Sequence, residues 1–165
     1  MKANRWKGSR WIAALVFAAL VVVVPAVAAA ELSREEYVAR VEPICKANVE
    51  ANSRIFEGAK EKVKAGKLKQ ASGHFKRAAS ALEKTIKQID RVPRPAADET
   101  KLLRWLDLLR SEQDYFQQIG EALAANKKYK AQTLSVKLNR NSNKANNAIL
   151  FLPFTECRID PSRFS

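Results

Sequence analysis

The sequence LKQASGHFKRAASALEKTIKQI, at residues 68–89, contains the most regular apolar pattern in this 165-residue chain. Its apolar side chains recur at intervals of three and four residues, which places them on one face of an α-helix. The members of this face are Leu68, Ala71, Phe75, Ala78, Ala79, Leu82, Ile86 and Ile89. Such a face must be buried against other elements, and the alternating pattern typical of strands is absent from the sequence. The pattern therefore predicts an all-α domain.

The segment before this stretch is predicted to form a helix whose N-terminus is defined by a capping motif. The sequence SREE at residues 33–36 is a capping box, in which the Ser and Glu side chains bond to each other's backbone amides. The apolar residues that follow at helical spacing are Tyr37, Val41, Ile44, Cys45, Ile55, Phe56, Ala59 and Val63. Pro43 lacks the amide hydrogen that a helix interior needs, so a kink or break is expected there. The helix is expected to run to about Ala65, before Gly66.

Two further amphipathic segments follow Pro93 and Pro95, which end the preceding helix. The third helix is predicted to start near Asp98 and to bury Leu102, Leu106, Leu109, Phe116, Ile119 and Leu123. The fourth is predicted from about Lys127 to Leu152, with Leu134, Leu138, Ala145, Ala148 and Ile149 on its apolar face. Short connections between long helices make sequence neighbours antiparallel. The predicted architecture is therefore an up-down four-helix bundle.

Residues 1–30 have the composition of a secretory signal peptide. Four basic residues precede an apolar run over residues 11–24, and an alanine-rich stretch then ends at Ala30. Cleavage after Ala30 would leave a single domain of residues 31–165 with no transmembrane helix. The alternative is an uncleaved anchor, since residues 11–30 are long enough to span a bilayer. In both cases we expect the domain to be secreted, periplasmic or otherwise extracytoplasmic.

The two cysteines, Cys45 and Cys157, both lie in the part predicted to be exported. In an oxidising compartment an isolated pair is most simply one structural disulfide. It would join the first helix to the C-terminal tail and close a loop of more than 100 residues. A catalytic or redox pair is the alternative, but neither cysteine has a CxxC partner.

Four features of the sequence occur together: Cys45 early in the first helix, the VPRP break at residues 92–95, Trp105 followed by Leu106, and Cys157 near the C-terminus. In these features the chain resembles a loose group of uncharacterised exported helical proteins of actinobacterial type. The resemblance covers most of residues 31–165 and implies a disulfide-tied helical bundle. It brings no known activity, cofactor or binding residues.

Positive charge is concentrated in two of the four predicted helices. The chain has 30 Lys and Arg against 17 Asp and Glu, and its formal net charge is +13. Residues 58–95 carry +8 and residues 127–147 carry +6, against −2 for residues 31–57 and −3 for residues 96–126. In an up-down bundle each acidic helix therefore lies beside basic helices. Attraction between the oppositely charged sides of adjacent helices explains part of the uneven distribution of charge.

Attraction between adjacent helices does not account for one row of basic residues on the second helix. Because successive residues are rotated by about 100°, these six side chains fall within one arc opposite the apolar face. We call them the basic stripe: Lys69, Lys76, Arg77, Lys84, Lys87 and Arg91. The leading hypothesis is that the stripe binds an anionic envelope polymer or lipid headgroups. Nucleic acid is disfavoured because no aromatic residues are interleaved for base stacking, and an ordinary solvated face is the alternative.

Four amides fall on or beside the apolar faces, near the middle of their helices: Asn48, Asn52, Gln113 and Asn141. The topology predicts that they lie at about the same level inside the bundle. Buried amides need hydrogen-bond partners, so one interpretation is a self-satisfied polar layer that fixes helix register. The functional alternative is a mid-bundle site in a carrier or sensor of a small polar ligand.

The sequence predicts no enzyme, metal site or cofactor. His74 is the only histidine, its position suggests the surface or a boundary, and no haem, phosphate-loop or nucleophile motif is present. The acids Asp107, Glu112 and Asp114 alternate with arginines at helical spacings, which is typical of a solvated face. Trp105, beside Leu106, is expected in the core or at its boundary, and a ligand platform is the alternative. A protein-interaction module is a third possibility, and the oligomeric state is left open.

Overall fold

The computed structural model describes residues 32–159, which form five α-helices and one short 3-10 turn. The helices are α1 (Arg34–Phe56), α2 (Ala59–Lys64), α3 (Leu68–Asp90), α4 (Glu99–Ala124) and α5 (Lys128–Ala148), and the 3-10 turn is Ala96–Asp98. No strand occurs among the described residues. The signal peptide predicted at residues 1–30 lies outside them.

The four long helices pack as a bundle around one core. α3 contacts α4 along its length, α4 contacts α5, and α1 and α2 both pack on α3. The largest side chains that are fully buried include Trp105, Tyr37, Phe116 and Phe154. The apolar face at residues 68–89 is buried as predicted, except that Phe75 is only partly covered. The predicted all-α four-helix bundle with one disulfide is thus confirmed.

The first predicted segment differs from expectation in where it breaks. Its capping box is present, because Ser33 N donates to Glu36 Oε2 at 2.9 Å and Glu36 N donates to Ser33 Oγ at 3.1 Å. The break expected at Pro43 is absent, since α1 continues through it to Phe56. Pro43 is exposed, so water can reach the backbone acceptor that its missing amide would have satisfied. The helix instead breaks at Gly58, whose φ of 69° favours glycine.

The fourth predicted helix ends earlier than expected, and the tail after it completes the core. α5 ends at Ala148, yet Leu152 and Phe154 are buried. The Phe154 ring stacks on Trp105 with centroids 5.7 Å apart and meets the edge of Tyr37 at 6.3 Å. The residues after α5 are therefore part of the folded domain.

Two connections hold this tail against α1. The predicted Cys45–Cys157 disulfide is present, with an S–S distance of 2.03 Å. One turn before Cys45, Glu42 Oε1 accepts hydrogen bonds from the backbone amides of Thr155 at 2.7 Å and Glu156 at 2.8 Å. Burial opposes ionisation of Glu42, but the hydrogen bond from the Thr155 hydroxyl and those from the backbone amides prevail and keep its pKa below the ordinary value.

An ion pair between an exposed arginine and a buried aspartate joins the start of α1 to the start of α4. Arg34 Nε donates to Asp98 Oδ2 at 2.5 Å, and Arg34 Nη2 donates to Asp98 Oδ1 at 2.8 Å. The hydrogen bonds from Arg34 lower the pKa of Asp98, whose carboxylate is buried at the start of the helix. None of the helices within residues 32–159 combines the length and apolar character that crossing a bilayer requires.

Candidate ligand-binding cavity

A cavity of about 510 Å³ lies between α1, α3, α4 and the C-terminal tail. Its volume is within the range of small-molecule sites in proteins. Most of its wall is apolar, and the large apolar side chains in it are Phe56, Leu82, Ile89, Trp105, Leu109 and Phe116. Within residues 32–159, α5 makes little or no contact with α1, so the tail rather than a helix covers this side of the core.

The sequence of α1 explains why the core is not filled at this level. Between Cys45 and Ile55, the positions that face inward carry Asn48 and Asn52 instead of large apolar residues. The two amides are one turn apart, so both lie on the same side of the helix. Because an amide is costly to bury without a partner, α1 cannot close tightly on the apolar wall of α3 and α4 here.

Glu112 is a buried acid in the wall of this cavity, with a side chain that is only 1% exposed. Its Oε1 lies 2.9 Å from Ser142 Oγ, and Ser142 Oγ lies 3.1 Å from the carbonyl oxygen of Leu138. A hydroxyl has a single hydrogen, so both contacts are satisfied when a protonated Glu112 donates to Ser142 and Ser142 donates to Leu138. Burial raises the pKa of Glu112 to about 7.

Four buried polar atoms of the lining lack a hydrogen-bond partner within the described part of the chain. They are Asn48 Oδ1, Asn52 Oδ1, Trp105 Nε1 and Glu112 Oε2. Most buried polar atoms in proteins are hydrogen-bonded, so four such atoms around one cavity call for an explanation. Water or a bound molecule with complementary groups would satisfy them.

The mouth of the cavity also carries charge. Glu57 follows the end of α1, while Glu156 and Arg158 belong to the tail. Together with Glu112, the lining supplied by residues 32–159 therefore contains three acids and one base, and no lysine of these residues contributes to it.

The structure separates the four amides of the predicted polar layer. Asn48 and Asn52 line the cavity, as the ligand-site hypothesis required. Gln113 is half-buried outside the lining, and Asn141 donates to the backbone oxygen of Leu108 at 2.8 Å, which is a structural contact. The cavity therefore brings together two of the four predicted amides, while Gln113 and Asn141 lie outside its lining.

Sequence reasoning missed Glu112 and undervalued Trp105. The interpretation of Glu112 as part of a solvated face was wrong, since it lies between Leu109 and Phe116 at intervals of three and four residues. That spacing places it on the buried face of α4 and was visible in the sequence. Trp105 is buried as predicted, but its unpartnered indole nitrogen became apparent only in the structure.

His74 is also buried, against the expectation of a surface or boundary position. Its Nδ1 donates to the backbone oxygen of Ile55, and its Nε2 accepts from Lys62 Nζ at 2.8 Å. These contacts connect α1, α2 and α3, so His74 has a structural role. Within residues 32–159, no three His, Cys, Asp or Glu side chains are grouped as a metal site would need.

All six residues of the basic stripe are exposed on α3. Lys87 forms an ion pair with Glu83 at 2.5 Å, and Arg77 Nη2 lies 3.2 Å from His74 Nδ1. Lys76, Arg77 and Lys84 border an open groove between α1 and α3. The stripe is thus presented outward, on the side of α3 remote from the core.

No protein-family model, curated protein or solved structure matches the chain. The resemblance to exported actinobacterial-type helical proteins stays a prediction.

Proposed function

We propose that this protein is a non-catalytic binder of a small organic ligand, acting as a carrier or sensor outside the cytoplasm. The observation that carries the proposal is the cavity of about 510 Å³ with four unpartnered buried polar atoms in its wall. An apolar pocket with a few convergent polar groups is the usual form of a small-molecule site. The Cys45–Cys157 disulfide supports an oxidising compartment.

Binding is favoured over catalysis by the kind of groups in the wall. Among the described residues of the lining, Glu112 is the one ionisable side chain that is fully buried, and it contacts the hydroxyl of Ser142. General acid–base chemistry usually relies on paired groups that exchange roles, and the lining brings no second buried acid or base to Glu112. The proposed work of these side chains is therefore recognition.

A thermal-shift screen of small organic molecules against residues 31–165 tests the proposal. A ligand at 100 times its Kd stabilises the folded state by about 2.7 kcal/mol, which corresponds to a rise in Tm on the order of 10 °C. We expect Asn48→Leu to reduce this rise strongly, because Asn48 lines the cavity. Gln113→Leu is the matched control and should keep it, because Gln113 lies outside the lining.

Asn52→Trp provides a second test, since it places a large ring in the cavity without changing any residue of α4. Loss of the thermal shift in this variant would support binding in the cavity. An unchanged shift in both Asn48→Leu and Asn52→Trp would contradict the proposal.

The second candidate function is binding of an anionic envelope polymer or lipid headgroups through the basic stripe. It is favoured by the exposure of all six residues on one helix of a chain with 30 basic and 17 acidic residues. Affinity of this kind depends on charge and is screened by salt. It does not exclude a ligand in the cavity, because the stripe and the cavity lining share no residue.

Retention on an anionic polymer surface across a salt series tests the stripe. We expect retention to weaken steeply as salt rises and to be largely lost in the variant that changes Lys76, Arg77, Lys84 and Lys87 to Gln. The charge-matched control changes Lys64, Lys67, Lys128 and Lys130 to Gln, all exposed residues outside the stripe. Equal losses in the two variants would show that only net charge matters and would contradict a site on α3.

A further inference from the structure

The charge of the cavity lining is opposite to that of the protein as a whole. The chain carries a formal net charge of +13, yet among residues 32–159 the cavity is lined by Glu57, Glu112, Glu156 and one base, Arg158. The base is exposed at the mouth, whereas Glu112 is buried in the wall. A cation that enters the cavity therefore meets acids, although the rest of the surface would repel it.

The unpartnered atoms of the lining are mainly hydrogen-bond acceptors. Glu112 Oε2 is one when that carboxyl is ionised, because both carboxylate oxygens then accept and only Oε1 meets Ser142. Asn48 Oδ1 and Asn52 Oδ1 are the others, and Trp105 Nε1 is the only donor of the four. A ligand that satisfies them must bring more donors than acceptors.

Aromatic rings form another part of the wall. Phe56 and Phe116 lie with their ring centroids 5.8 Å apart, and Trp105 contributes a third ring. Apolar groups of a ligand would be buried against these rings, and the faces of the rings also attract a cation.

We infer that the cavity takes an organic amine, whose ammonium group bonds to Glu112 and whose apolar or aromatic body packs against Phe56, Trp105 and Phe116. This inference rests on the proposed ligand-binding function and specifies its ligand class. The amine is held by charge-assisted hydrogen bonds to Glu112 Oε2 and to the oxygen of Asn48 or Asn52. A carboxylate or phosphate in the same place would face Glu112 with no buried cation to offset it.

Three ligands with the same body and different head groups provide the test: 4-phenylbutylamine, 4-phenylbutanol and 5-phenylpentanoate. Binding to residues 31–165 is measured by isothermal titration calorimetry at pH 8 and moderate salt. We expect the amine to bind about tenfold or more tightly than the alcohol, and the carboxylate to bind weakest. Binding of the alcohol or carboxylate with no binding of the amine would overturn this inference and leave the proposed function standing. Failure of all three would count against both.

Glu112→Gln removes the charge that contacts the ligand's head group while leaving the fold intact. The variant keeps the shape of the side chain but carries no charge, so we expect the amine to lose its advantage over the alcohol. Asp114→Asn is the matched control, because Asp114 is an exposed acid two residues along the same helix. Retained preference for the amine in Glu112→Gln would overturn the inference. A cooperative unfolding transition in urea, measured separately, reports that the variant is folded.

Discussion

Loss of the Cys45–Cys157 disulfide is expected to lower the free energy of unfolding by about 4–5 kcal/mol. The bond connects residues 112 positions apart, so it closes a loop that includes almost all of the described chain. In the chain-entropy account, such a long loop restricts the unfolded ensemble strongly, and that restriction disappears when the bond is broken. The expected loss is a large part of the roughly 5–15 kcal/mol by which most domains are stable.

Urea unfolding of the oxidised protein, the reduced protein and the double variant Cys45→Ser with Cys157→Ser measures this loss. The double variant should behave like the reduced wild type, and adding reductant to it should change nothing. A difference below about 1 kcal/mol between oxidised and reduced protein would contradict the prediction. It would mean that the hydrogen bonds to Glu42 and the burial of Phe154 hold the tail without the covalent bond.

The same bond links stability to the proposed function, because Cys45, Cys157 and the residues around Cys157 form one side of the cavity. Reduction frees that side from α1 and should weaken ligand binding even where the helices remain folded. A binder with this construction works best in an oxidising compartment.

The main features of the fold could be predicted because they depend on local patterns. The apolar face of residues 68–89, the capping box at Ser33 and the paired cysteines each follow from spacing, residue type or compartment. The break at Gly58 could not be placed, because helix propensity favours a helix on either side of it and only the conformation shows a φ of 69°. The role of the tail was also hidden, since burial of Phe154 depends on contacts with the distant residues Tyr37 and Trp105.

The candidate site could be predicted only in part. Asn48 and Asn52 interrupt an apolar face, and this interruption indicated a polar site inside the bundle. Asn141 satisfies the same pattern but bonds to a backbone oxygen of α4. Sequence spacing does not distinguish an amide that lines a cavity from one that bonds to a neighbouring helix. Glu112 was obscured by nearby arginines, although its spacing from Leu109 and Phe116 places it inside. The orientation of neighbouring helices decides which polar residues of a face meet one another.

Glu112 is expected to make the protein less stable as the pH rises from about 4.5 to about 7. Its pKa is about 7 in the folded state against an ordinary value of 4.5, so the folded protein holds a proton that the unfolded chain releases in this interval. Stability falls with rising pH wherever the folded state binds more protons. The full contribution of the neutral acid is therefore present below pH 4.5 and is lost as the pH rises through 7. The difference in pKa corresponds to roughly 3 kcal/mol.

The difference in unfolding free energy between wild type and Glu112→Gln, measured in urea from about pH 4.5 to 8.5, isolates this effect from other titrating groups. The glutamine side chain of the variant resembles the neutral acid, so the two proteins should be similar near pH 4.5, and the variant should be more stable by roughly 3 kcal/mol above about pH 8. Glu42→Gln should have the opposite sign at neutral pH, because the ionised Glu42 accepts amide hydrogens from the tail and its pKa is lowered. If the unfolding free energies of wild type and Glu112→Gln change in parallel with pH, ionisation of Glu112 does not destabilise the folded protein, and the prediction is wrong. A bound amine should reduce the difference between the two profiles, because a cation beside Glu112 favours its charged form and lowers its pKa.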